Sequence, residues 1–142
     1  MFAKRHHGKL RKSILGFLQK NLTNPKTSTK SFGFLGEKMA ELFLRRLGYK
    51  IIERNFRSRF GEVDLIALKD NYLVFLEVKT RWSKRYGYPE EAVTPAKIAK
   101  IKKVAEYYSL LHQNLTKNLR IEVVAIQMRE GKVISQKIIP AY

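Results

Sequence analysis

The chain has 142 residues, 44% hydrophobic and 29% charged, which bounds it to about one domain with a core of its own. Its 29 Lys and Arg against 12 Asp and Glu leave a net charge of +17, an excess that favours a polyanionic partner, nucleic acid foremost. The absence of cysteine excludes disulfides, thiolate zinc sites and cysteine nucleophiles, and no apolar run reaches the ~18 residues that span a bilayer.

Residues 1–36 carry eight Lys or Arg and no acid. Leu10, Ile14, Phe17, Leu18 and Leu22 recur there at helical spacing, so a basic arm over residues 1–31, helical in part, is expected before a domain over 32–142. A nucleic-acid arm, a membrane-surface helix and a helix docked on a neighbouring molecule all fit that pattern. Its apolar stretch is short and interrupted by lysine, unlike a secretory signal, so a soluble, cytoplasmic protein is expected. None of His6, His7 and His112 is spaced with other ligands as a zinc site requires.

Gly36 to Leu47 reads as an amphipathic helix that Gly48 closes. Glu37 and Glu41 share one flank of it, and either suits a helix's first turn as well as a site. A strand over Tyr49–Phe56 runs into Arg54, Arg57 and Arg59, interleaved with Phe56 and Phe60. Those arginines suit phosphate contact and base stacking, or equally a solvated basic edge that blocks sheet-to-sheet association. After the strands comes a basic, aromatic loop with Arg81, Trp82, Lys84 and Arg85. A helix over Pro95–Leu111 follows, capped by Thr94, with Lys97 and Lys100 on an exposed flank that either follows phosphates or is only solvated. Strands over Arg120–Met128 and Val133–Ile139 end the chain. Helix, three strands, helix and two strands predict an α/β fold with a central mixed sheet flanked by helices.

The chemistry concentrates in the middle. Val63–Leu68 and Tyr72–Val78 are apolar on nearly every residue and flank Lys69-Asp70-Asn71, which predicts a hairpin buried on both faces. A two-residue Asp70-Asn71 loop sets Asp64 across from Glu77 and Glu62 across from Lys79, with Cβ atoms about 4.5–5.5 Å apart and all four on one face. Two carboxylates that close on apolar strands conflict, and a divalent cation such as Mg²⁺ resolves the conflict. The neighbouring lysine is then placed to hold a water or to stabilise charge on a phosphate, as metal-assisted phosphodiester hydrolysis requires. The plainer alternative is an ordinary Glu62–Lys79 ion pair at a solvated strand end, and a three-residue loop would part Asp64 and Glu77 to opposite faces.

Glu-Val-Asp-Leu-Ile-Ala, Val-Phe-Leu-Glu-Val-Lys-Thr-Arg and Tyr-Gly-Tyr-Pro-Glu-Glu-Ala-Val, in that order between about Gly36 and Ile126, resemble the small YraN-type bacterial proteins (uncharacterised family 0102). That family is regarded as a predicted endonuclease distantly similar to archaeal Holliday-junction resolvases within the PD-(D/E)xK superfamily. The resemblance implies a restriction-endonuclease-like core and a Mg²⁺- or Mn²⁺-dependent nuclease acting on DNA, branched or flapped structures included. It implies Asp64 and Glu77 as metal ligands with the Val78 carbonyl, Lys79 as the residue that positions the water, and Glu37 as the helical glutamate completing the site. The proline that the superfamily's name places before the aspartate is absent at Val63, as is common in this family. It further implies a homodimer, because resolvase relatives act as dimers on paired strands. The family usually shows aspartate where this chain has Glu122, a conservative difference that suggests no catalytic duty there. The alternative from another class is a non-catalytic DNA- or RNA-binding module on a nuclease-like fold.

Overall fold

The computed structural model describes residues 29–82, 87–130 and 132–142. The expected basic arm lies outside them except for its last three residues, which open the first helix; Lys84 and Arg85 also lie outside. Helix α1 spans Thr29–Arg46 and so begins seven residues before the expected Gly36 start, because Leu35 already belongs to the buried stripe with Met39, Ala40 and Leu44. It ends in a Schellman-type cap. Gly48 sits at φ 88°, the Tyr49 N–H donates to the Leu44 carbonyl at 3.1 Å, and the Gly48 N–H donates to Arg45 at 3.2 Å.

Strands β1 (Lys50–Ser58), β2 (Gly61–Lys69) and β3 (Tyr72–Arg81) form an antiparallel meander. The expected two-residue turn is present: Asp70 and Asn71 take φ 48° and 62°, the positive values that suit a tight hairpin, and Lys69 pairs with Tyr72. A single helical turn, Pro89–Ala92, precedes helix α2 (Pro95–Leu111). Thr94 caps α2, its Oγ1 accepting from the Lys97 N–H at 3.2 Å, and Pro95 opens it. At its far end the His112 N–H bonds the Tyr108 carbonyl and the imidazole stacks on the Tyr108 ring, 3.9 Å between centroids.

Strand β4 (Leu119–Arg129) pairs parallel with β3, and β5 (Lys132–Pro140) pairs antiparallel with β4. The result is one mixed five-stranded sheet in the order β1-β2-β3-β4-β5, helices on both faces, the α/β architecture expected. Helix α1 covers Leu65, Ala67, Val74, Leu76, Val124 and Ile126; α2 covers Val63, Ile66, Leu73, Phe75 and Ile121. The parallel pair β3 and β4 lies innermost, which explains why it is apolar almost throughout. Among the described residues, no helix is long and apolar enough to cross a membrane.

Candidate active site

The β2–β3 ladder runs from Lys69–Tyr72 to Leu65–Leu76 and stops there. At that point the side-chain alternation of β2 breaks: Val63 and Ile66 pack toward α2, whereas Leu65 and Ala67 pack toward α1. Asp64 sits in the break. Its Oδ2 accepts the Val78 N–H at 2.7 Å, so a carboxylate takes the place of a ladder carbonyl. The expected direct opposition of Asp64 and Glu77 is thereby corrected, with Asp64 reaching one residue beyond Glu77 because the strands have already parted. Burial drives the Asp64 carboxyl up to about 7, helped by the nearby charges of Glu77 and Glu37 and only partly offset by the Val78 N–H and Lys79.

Glu62 is not across from Lys79 either. It pairs with Arg57 on the β1 side, in the ladder and as an ion pair at 3.2 Å, because among the described residues β2 at that point pairs with β1 alone. Lys79 turns instead to Glu77, its Nζ 3.3 Å from Oε1. A second ammonium reaches the same oxygen from α2, with Lys97 Nζ at 3.3 Å. Glu77, only 5% exposed at its side chain, is therefore a buried carboxylate held by two lysines from different elements.

Glu37 and Glu41, one turn apart on α1, have opposite surroundings. Burial raises the Glu37 carboxyl, and Glu77 and Glu62 add to that against a hydrogen bond from Asn55. Asn55 sits at φ 51°, a conformation in which asparagine is at home. Burial also presses on Glu41, but hydrogen bonds from Arg54 and Arg45 outweigh it and hold that carboxyl below its ordinary value. Arg45 Nη2 lies 2.9 Å from Glu41, and Arg54 grips both carboxylate oxygens. Glu41 is thus structural and Glu37 faces the site, as the resemblance but not the spacing separated them.

Glu37, Asp64, Glu77, Val78 and Lys79 line one cavity of about 750 Å³, with Phe32, Gly33, Thr80, Arg81 and Trp82. Phe32 and Trp82 meet at 4.7 Å between ring centroids on its rim. Thr80 Oγ1 and Arg81 Nε are buried there with no hydrogen-bond partner among the described residues. The donor set suits a hard cation: carboxylate oxygens face one space, and burial with the neighbouring acids pushes Asp64 toward the neutral form despite Lys79. The coordination sphere is not ready-made, since among the described residues no three His, Cys, Asp or Glu side chains form a metal-holding group. Two carboxylates with water and phosphate oxygens, the usual Mg²⁺ arrangement, fit it better than an all-protein cage. A second cavity, about 540 Å³ between α2 and the β4–β5 edge, is lined by Val93, Ile98, Val123 and Ile139 and offers no acid or base among the described residues.

The expected nucleic-acid contacts are scattered. Arg54 is engaged by Glu41, Arg57 lies exposed beside Glu62, and Arg59 stacks over Phe60 at 4.8 Å. Arg81 is in the cavity wall and Lys100 lies exposed on α2. Lys97, on a flank that the spacing makes exposed, belongs to the carboxylate cluster, and no sequence pattern marks Asn55 or Thr80. Glu122 lies away from the cavity, buried among Tyr49, whose hydroxyl donates to it at 2.6 Å, and Arg120.

The model of the uncharacterised protein family UPF0102 matches residues 36–126. A UPF0102 protein of Syntrophomonas wolfei is 46% identical over 113 residues, covering 80% of this chain and 98% of the relative. One from Clostridium acetobutylicum is 45% identical over 97 residues, 68% of this chain and 80% of its own. Among solved structures, a repair endonuclease from Pyrococcus abyssi aligns with 66% of this chain and 38% of its own at 24% identity, with a TM-score of 0.40.

Proposed function

The chain belongs to the uncharacterised protein family UPF0102, a membership that names no reaction, and from its site we propose that it is a Mg²⁺-dependent endonuclease hydrolysing phosphodiester bonds of DNA. The observation that carries this reading is the convergence of Glu37, Asp64, Glu77 and Lys79 on one cavity, with Asp64 raised to about 7 by burial and by its acidic neighbours. Desolvated carboxylates crowded in a cleft are where a hard cation and a phosphate are accommodated together.

Asp64 and Glu77, with the Val78 carbonyl, would hold the cation, which supplies charge neutralisation at the phosphate and a more acidic water. Lys79 donates to the attacking water or to the phosphate oxygen that gains charge. Glu37 supports the water from the α1 side. The new bond joins water oxygen to phosphorus while the ester P–O bond breaks; the water's proton passes to solvent, and the released oxygen takes one from solvent. Arg57, Arg59, Arg81 and Lys100, with Lys84, Arg85 and the N-terminal arm, hold the backbone electrostatically. Junctions and flaps are the first substrates to try, and a homodimer forms part of the same proposal because paired strands need two cuts.

Glu77→Ala or Asp64→Asn is expected to abolish Mg²⁺-dependent cleavage while DNA affinity stays within about threefold, since the groups removed hold cation rather than backbone. Wild-type protein that cleaves no duplex, junction, flap or single strand in Mg²⁺ or Mn²⁺ contradicts the catalytic reading. One observation favours the second reading, a non-catalytic nucleic-acid-binding module: Glu77 is already neutralised by two lysines. Calorimetric titration with Mn²⁺ separates the two, because the module needs no carboxylate-dependent cation.

A further inference from the structure

Lys97 stands where local electrostatics disfavours it. It is the third residue of α2, behind the Thr94 cap, and the first turn of that helix contains no acid. A helix N-terminus carries partial positive charge and is better served by Asp or Glu. A side chain that breaks a local rule is compensated elsewhere, and here the compensation is Glu77. Lys97 Nζ lies 3.3 Å from Glu77 Oε1, the oxygen that Lys79 Nζ approaches at the same 3.3 Å. Lys79 alone supplies one counter-charge to one carboxylate. A second, from another element and still 35% exposed at its side chain, is more than Glu77 requires and is free to swing outward on its four-carbon stem.

We propose that Lys97 is a second ammonium of the site: it holds Glu77 Oε1 until a divalent cation takes that oxygen, and it then contacts a phosphate of the bound DNA. The inference rests on the nuclease reading for its second half only. Competition at Glu77 Oε1 needs no chemistry, because one oxygen cannot keep two ammonium groups and a divalent cation at contact distance. Lys97 would then couple cation binding to substrate grip, its charge passing from protein carboxylate to DNA. Lys79, adjoining Glu77 on the same strand, stays with the water.

The test uses the full chain and two variants, Lys97→Met, which keeps the apolar stem, and Lys97→Arg, which keeps the charge. Mn²⁺ affinity is measured by calorimetry without DNA, and single-turnover cleavage and DNA affinity are measured separately. Lys97→Met is expected to bind Mn²⁺ about tenfold more tightly, since a like charge beside the ligand is gone. It should also cleave at least about tenfold more slowly at saturating DNA, with Lys97→Arg restoring much of the rate. A purely structural lysine predicts no gain in Mn²⁺ affinity. If wild type binds Mn²⁺ and cleaves, but Lys97→Met matches it in both, the proposal is overturned and the nuclease reading stands. If wild type cleaves nothing while Lys97→Met gains affinity for Mn²⁺, the nuclease reading falls and the competition at Glu77 stands. Absence of Mn²⁺ binding by either protein overturns both. Should Lys97→Met fold poorly by its melting curve, Lys97→Gln carries the same comparison.

Discussion

Asp64 is the residue at which the ordinary rules of a strand give way. The chain stops alternating, the ladder stops pairing, and a carboxylate accepts a backbone N–H at 2.7 Å. Its carboxyl at about 7 means the folded chain holds a proton that the unfolded chain releases near 4. Stability of the metal-free protein therefore falls as pH rises from about 4 to about 7 and is level above that. Asp64→Asn removes this penalty while keeping an oxygen for the Val78 N–H. In EDTA at pH 8 it should be more stable than wild type, by on the order of 2 kcal/mol, with the advantage gone below about pH 4. Melting curves at both pH values check this, and an Asn variant less stable at pH 8 contradicts it. Glu37 and Glu41 make a second test at this scale. Glu41→Gln should cost about 1–2 kcal/mol by loosening Arg45 and Arg54, whereas Glu37→Gln should leave melting nearly unchanged and lower cleavage. The sequence spacing treats the two glutamates alike. What separates them is Arg54 on strand β1, which only the folded chain brings to Glu41.

Among the elements, the hairpin was the most legible, because Asp70 and Asn71 both accept positive φ and so select a two-residue turn and its register. The helices were legible from Thr94-Pro95 and from Gly48, residues whose local chemistry marks helix ends. Two things were not legible. Where β2 and β3 part cannot be read from apolar residues that continue through the split, and Lys97 reaches Glu77 only through the packing of α2 on the sheet. The spacing starts α1 late because Gly33 and Gly36, poor helix formers, interrupt the apolar run of Phe32, Phe34 and Leu35. The seam between α1 and β3 gives a prediction of its own. At Gly36 an added Cβ would lie 2.5 Å from Thr80 Oγ1. Gly36→Ala gains about 1 kcal/mol of helix propensity, yet the clash costs more and should leave the protein net destabilised by about 1–2 kcal/mol. Combining it with Thr80→Ala should recover part of that loss in melting temperature. A Gly36→Ala protein as stable as wild type would mean α1 is not seated as closely on β3 as the structure has it.

At the scale of the whole molecule, the site is a small acidic cluster in a chain of net charge +17. On the proposed reading the excess would draw the polyanion, and the cluster would hold the cation that lets the polyanion approach. DNA affinity should fall about a thousandfold between about 50 and 200 mM salt, as expected for several phosphate contacts. Asp64→Asn should give the same salt slope in a fluorescence-anisotropy titration. A flat slope would show that the basic surface is not the grip on DNA. Whether the gap between β2 and β3 holds a divalent ion decides the nuclease reading, and crystals of the full chain soaked in Mn²⁺ and measured at the manganese absorption edge test that directly. An anomalous peak between Asp64 and Glu77, with Lys97 withdrawn from the glutamate, is the expected result. Crystals with no such peak, and both lysines still on Glu77, would contradict it.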